Sequence, residues 1–216
     1  MIRKIVGLYF SPIGGTAKVT EALVSKLAGI LDDCSPDKLR RESIDLLRLK
    51  DTGLKLDDET VAVVCMPVCI GKIPLPAVRL MKNIDPNGAI TVAAVSYGAR
   101  TYGNALYELN HYAEDQGFKV VGAGAFSVKY NKHKGKSVDS IIDDAAIKAF
   151  GTAAAGKIRR LAGCEIEGLR IKPAPLEVSG RLPFHGISRI SPGAAMAAQG
   201  LLHRVNFKHK DSEWYL

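Results

Sequence analysis

Three short stretches of this chain combine glycine, hydroxyl and aromatic residues in spacings suited to holding a ligand. Ser11-Pro-Ile-Gly-Gly-Thr16 has two glycines that let the backbone curl close to a bound group, and two hydroxyls that add donors. Placed ahead of a helix, it would also offer that helix's unpaired amides, completing a cradle for phosphate. The plain structural alternative is a Gly-rich tight turn. Pro67-Val-Cys-Ile-Gly-Lys-Ile-Pro74 and Ser96-Tyr-Gly-Ala-Arg-Thr-Tyr-Gly103 each mix apolar or aromatic walls with glycines and one cation, as a flat aromatic ligand requires. Tyr97 or Tyr102 is placed to stack on such a ring. Taken singly, either tyrosine also suits a surface or half-buried core position.

Competing chemistries fail on pattern. No Gly-x-x-x-x-Gly-Lys followed by Ser or Thr occurs, which excludes the nucleoside-triphosphate P-loop. Gly122-Ala-Gly124 is followed by Ser127 where a dinucleotide turn has its third glycine, and it lies inside a strand-like run, as small residues packed under a helix do. Cys34 and Arg40 match Cys-x5-Arg in form only, since that stretch leaves a helix, enters a strand and contains no glycine. Cys34, Cys65, Cys69 and Cys164 show neither Cys-x-x-Cys nor paired zinc spacing, so four reduced thiols in a cytoplasmic protein are expected. The five histidines are scattered, and no Ser/His/Asp or paired-carboxylate constellation is present; neither a catalytic side chain nor a metal site is expected.

Elements that would position the three loops alternate along the chain. Residues 2–10 (IRKIVGLYF), 42–47, 61–68 (VAVVCMPV), 89–95 (AITVAAV) and 118–128 read as strands, several of them apolar on both faces as parallel strands are. Helices are predicted over 16–31 with Thr16 as cap, from Pro74 onward, over 103–116 and over 138–161. The last has Asp139, Asp143 and Asp144 early and Lys157, Arg159 and Arg160 late, matching the helix dipole. Only about a dozen polar residues join the second and third strands, so the helix between them is expected to be short or missing. The result is an α/β fold with a parallel sheet covered on both faces, and ligands in such sheets sit outside the carboxyl ends of the strands.

The first domain is read as residues 1–162. Residues 163–216, with four prolines, a short helix at 193–203 and the aromatic end Trp214-Tyr215, read as an extension packed on that domain or on a second subunit. No repeat, low-complexity tract, signal-peptide core or membrane span is seen. Thirty Lys+Arg against 22 Asp+Glu leave a net charge of +8, and the excess is local. Residues 127–162 hold eight basic and three acidic side chains, including Lys129, Lys132, Lys134 and Lys136 just after the fifth strand. That favours an anionic partner.

YFSPIGGT, PVCIGKIPLPA, SYGARTYGNALYEL and GFKVVGAGAF, in this order, resemble flavodoxin-like domains. The nearest likeness is to the group in which such a domain is fused to a two-cluster ferredoxin, and it spans about residues 1–162. The resemblance implies a flavodoxin-like doubly wound five-stranded sheet of order 2-1-3-4-5 and bound flavin mononucleotide (FMN). Ser11, Ile13, Gly14, Gly15, Thr16 and Ala17 would then hold the phosphate. Pro67, Val68, Cys69, Ile70 and Gly71 would line one side of the ring, and Ser96, Tyr97, Gly98, Arg100, Tyr102 and Gly103 the other. Gly71 would be the glycine whose peptide flips to accept a hydrogen bond from reduced N5.

Two departures shape the expected function. Residues 165–216 contain no cysteine, so the cluster-binding half of the fused relatives is not expected there. Shuttling flavodoxins are commonly acidic, whereas this chain is basic. The reading is an FMN-dependent flavoprotein that passes electrons between a separate donor and a protein or small-molecule acceptor. An acidic ferredoxin-like protein or NAD(P)H is the expected redox partner, and a homodimer is among the expectations. Nucleic acid is disfavoured because Tyr130 is the one aromatic residue beside the basic segment. The alternative is a non-enzymatic flavodoxin-like binding module that has lost its flavin.

Overall fold

The computed structural model describes residues 1–35, 37–49, 53–98, 101–131, 139–163, 176–180 and 212–216. Its frame comes from apolar runs with no polar face to leave in water. In β1 (Lys4–Tyr9), β4 (Thr60–Pro67) and β6 (Ile90–Tyr97), alternate side chains enter two separate cores. Ile5, Val61, Val63, Cys65, Val92 and Ala94 face one core, and Val6, Leu8, Val64, Met66, Val95 and Tyr97 the other. Strands buried on both sides need helices over both faces, hence crossover connections and parallel pairing. α1 (Gly15–Leu31) and α4 (Asp144–Leu161) cover the first face; α2 (Leu75–Met81) and α3 (Ala105–Asp115) cover the second. With β2 (Arg40–Asp45) and β7 (Lys119–Asn131), the parallel strands run β2-β1-β4-β6-β7, which is the expected 2-1-3-4-5 order.

As the short polar segment after β2 implies, no α-helix forms there among the described residues. A 3-10 turn at Leu46–Arg48, opened by Asp45 Oδ1 accepting the Leu47 amide at 3.0 Å, takes its place. It is followed by β3 (Leu54–Lys55), which pairs with β5 (Ile84–Asp85) in a separate two-stranded sheet.

Two boundaries differ from the sequence reading. The helix predicted over 138–161 is two elements: Asp139–Ile142 forms β8, antiparallel to the far end of β7, and only Asp144–Leu161 is helical. Asp143 decides the break, because its Oδ1 accepts the Ala146 amide at 3.0 Å and so caps the helix from outside. At the other end of the chain, Thr16 does not cap α1. Gly14 is the N-cap, in a left-handed conformation at φ +88°, and Thr16 lies buried inside the first turn.

The described part of the extension lies on the sheet domain. β9 (Glu213–Tyr215) pairs antiparallel with Ala123–Ala125 of β7, and Leu176 and Val178 join the core beneath α3. Gly122 and Gly124 make room for it: a Cβ at Gly122 would stand 2.9 Å from Leu216 Cδ2, and one at Gly124 2.7 Å from Phe126 Cζ and 3.4 Å from Trp214 Cβ. These small residues thus lie beneath the tail and an aromatic cluster rather than simply under a helix. Cys164 and the helix predicted at 193–203 fall outside the described residues. Among the described residues, no helix is long and apolar enough to cross a membrane.

Candidate functional site

Parallel pairing puts the carboxyl ends of β1, β4 and β6 side by side, and all three loops leave from that edge. In the first loop, Ser11 Oγ accepts the Ala17 amide at 3.0 Å and so does the capping that Thr16 was expected to do. The amides of Gly14, Gly15 and Thr16 make no hydrogen bond with any described residue. Gly14 has nothing within 4 Å of where a Cβ would be, and Ile13 is 61% exposed. The cradle therefore faces outward, with its donors unspent.

Hydrogen bonds lash the other two loops to it. Thr16 Oγ1 and Ser96 Oγ meet at 2.8 Å, joining the first loop to the end of β6. The Val68 amide donates to Ser96 O at 2.9 Å, and Pro67 is the register partner of Ser96. Cys69 and Lys72 pair across a tight turn whose central residues, Ile70 and Gly71, have φ of +53° and +72°. A β-branched residue in that region is strained, and the turn holds because neighbouring groups over-determine it. The Ile73 amide donates to the buried Glu108 carboxylate at 2.8 Å, and the Asn104 amide donates to Gly71 O at 2.9 Å. Gly71 and Gly103 touch backbone to backbone; a Cβ at Gly103 would stand 2.6 Å from Gly71 Cα.

The remaining site residues are placed less as expected. Tyr97 and Tyr102 are 1% and 5% exposed, with ring centroids 5.6 Å apart, and both belong to the core beneath α3. The Tyr102 hydroxyl donates to Glu213 of β9; burial first, and that carboxylate second, push its pKa upward. Neither ring presents an open face, so the stacking role expected of them is not seen. Gly98 is exposed, and Arg100 lies outside the described residues. Gly71 O, expected to be free to flip, is already held by Asn104; turning it outward would cost about 1 kcal/mol for that bond.

One side chain that the sequence reading passed over reaches the site. Tyr130, on the stretch of β7 that pairs with β8, lies over both Gly15 and Gly98. A Cβ at Gly98 would stand 2.6 Å from its Cε2, and one at Gly15 would run into its hydroxyl. Burial alone raises its pKa. The available signal was its position two residues past the predicted end of the fifth strand, on the ligand-bearing edge. The thiols play a different part: Cys65 is buried beside Thr20, its pKa pushed up to about 12, and burial also raises that of the half-buried Cys69. No cluster of three metal-ligating side chains occurs among the described residues. A surface groove between α1 and α4, lined by Ala22, Lys26, Ile147 and Lys148 among others, involves none of the three loops.

No family model and no curated protein matches the chain. Solved structures do. A flavodoxin from the domain Archaea is similar over 72% of this chain and 99% of its own, at TM-score 0.50 and 20% identity. An oxidoreductase from Corynebacterium diphtheriae matches over 73% of this chain and 94% of its own, at TM-score 0.52 and 14% identity. The apo form of an NADH:FMN oxidoreductase, EMOB, matches over 73% and 88%, at TM-score 0.50 and 14% identity. At these identities the likeness speaks to architecture, and it agrees with the strand order: the chain has a flavodoxin-like α/β fold.

Proposed function

We propose that this chain is an FMN-dependent flavoprotein acting in electron transfer or oxidoreduction. The observation that carries the reading is the outward-facing cradle at the start of α1. Three successive amides, starting with that of an open glycine at φ +88°, have no partner among the described residues, and the two other loops are tied to the same sheet edge. These residues fit a phosphate dianion, since unpaired amides and the positive end of a 17-residue helix both favour it. Ser11, Ile13, Gly14, Gly15, Thr16 and Ala17 would hold that group. Pro67, Val68, Cys69, Ile70, Gly71, Gly98 and Gly103 would face the ring, with Ser96, Tyr97 and Tyr102 supporting them from below. When bound, FMN supplies one- or two-electron redox chemistry, while the chain supplies position and field.

The basic excess of the chain begins beside this site in sequence. Lys129, near the end of β7, is exposed, and Lys132, Lys134 and Lys136 follow it in sequence outside the described residues. The partner that suits this field is an acidic ferredoxin-like protein or the phosphates of NAD(P)H.

Titrating the purified protein with riboflavin 5′-phosphate tests the reading. Expected are heat release, quenched flavin fluorescence and a yellow protein that gives up FMN on denaturation. Absence of all three overturns it. A second reading, a flavodoxin-like binding module without flavin, is favoured by the burial of both tyrosines expected to stack. A colourless protein indifferent to FMN would select it.

A further inference from the structure

The Tyr130 side chain is held in a way that its place on a surface loop edge does not require. β7 continues past the parallel sheet, and Val128–Asn131 pairs antiparallel with β8, Tyr130 standing opposite Ser140. The hairpin is fastened to α1 by Lys18, whose ammonium donates to Ser140 O at 3.0 Å, while the Lys18 amide donates to Gly14 O at 3.2 Å. Tyr130 is thereby fixed over the first turn of α1, between the first and third loops. Glycine at 15 and 98 is what admits it. A Cβ at Gly98 would come within 2.6 Å of Cε2 and 2.9 Å of Cδ2, and one at Gly15 would stand 3.0 Å from Cζ.

The tyrosine hydroxyl, on a half-buried side chain, makes no hydrogen bond with any described residue. The hydroxyl keeps contact with solvent, so it is free to donate to a bound group. Beside it, the amides of Gly14, Gly15 and Thr16 also make no hydrogen bond with any described residue. The hydroxyl stands against Gly15, so one O–H and three N–H donors lie at the same helix start with no acceptor bonded to them among the described residues. The group that would satisfy all of them is one with several lone pairs and negative charge, which is an oxyanion. The ring edge meanwhile lies against Gly98 of the loop assigned to the flavin ring, so Tyr130 touches both the first and the third loop.

Resting on the flavin reading above, we propose that Tyr130 is the residue that makes the site selective for the phosphorylated flavin, its hydroxyl donating to the phosphate held at the start of α1. Discrimination of this kind comes from a donor that one ligand pairs and another leaves unpaired in the bound site. Tyr130→Phe therefore weakens FMN binding about tenfold, as the loss of a hydrogen bond to a charged group does, and leaves riboflavin binding unchanged.

The test is a set of parallel fluorescence-quenching titrations of wild type, Tyr130→Phe and Tyr130→Ala with FMN and with riboflavin. Far-UV circular dichroism and thermal midpoints report folding of each variant. The expected result is a loss of preference for FMN over riboflavin in both. Equal FMN affinity in wild type and Tyr130→Phe overturns the role of Tyr130 while leaving the flavin reading intact. An equal loss of both ligands also overturns it, showing that the ring only packs. Tighter FMN binding by Tyr130→Ala shows that the side chain blocks the site, and overturns it as well. A wild-type chain that binds no FMN overturns the flavin reading and this proposal together.

Discussion

Thr16 and Ser96 are 80 positions apart in the chain, yet their hydroxyls share one buried hydrogen bond of 2.8 Å. Ser96→Ala leaves the Thr16 hydroxyl unpaired at 2% exposure, which costs about 1–2 kcal/mol. A lower urea midpoint with unchanged slope is the expected readout. Cys65 offers a second test at this scale. Its folded pKa is raised from 9.0 to about 12 by burial, so the folded state keeps a proton that the unfolded chain releases between those values. The thiol's contribution to stability is complete below pH 9 and declines as pH rises from 9 toward 12. Cys65→Ala removes that part of the alkaline slope in denaturant titrations across this window. Tyr102 and Tyr130, whose pKa values are also raised, add a slope of the same sign that survives the substitution.

Among the elements, the junction of β8, α4 and β9 carries the most concentrated load. Asp143 caps α4 through Oδ1, and its Oδ2 accepts the Ser212 hydroxyl at 2.8 Å. Ser212 Oγ in turn accepts the Ser127 amide at 3.3 Å. One carboxylate thus starts a helix and fastens the strand that covers the β7 edge. Asp143→Ala should destabilise the protein by about 1–2 kcal/mol through the cap. Removing residues 212–216 should also destabilise it, by exposing the β7 edge and freeing Tyr102 from Glu213. The two changes share the Ser212 contact, so their combined effect should fall short of the sum. Thermal or denaturant melts of the two variants and of the double variant measure that coupling; strict additivity would remove the assigned link.

At the scale of the whole molecule, the net charge of +8 and its concentration in residues 127–162 predict attraction of acidic partners. Reduction of the FMN-loaded protein by a reduced acidic ferredoxin should slow about tenfold or more between low and high salt, because the field is screened within a Debye length. Stopped-flow rates across an ionic-strength series check this, and rates indifferent to salt would separate the charge from partner binding.

The parallel sheet was legible in the chain because an apolar run such as VAVVCMPV admits no exposed face, and the glycine turn ahead of α1 because Gly14-Gly15 before a helical pattern is local chemistry. Strand parity also carried a signal that was not used: Ala93, Val95 and Tyr97 share one face of β6, which already commits Tyr97 to the core. The position of Tyr102 under Glu213, 111 residues later, had no such signal. Nor did the placement of Tyr130 over Gly15 and Gly98, which depends on β8 folding back along β7. Hydrophobic period, capping and turn chemistry act over a few residues, so sequence alone determined the elements and the order of the loops. Which side chain ends up over which glycine depends on contacts that exist only once the chain has closed on itself, and the tertiary structure alone decided that.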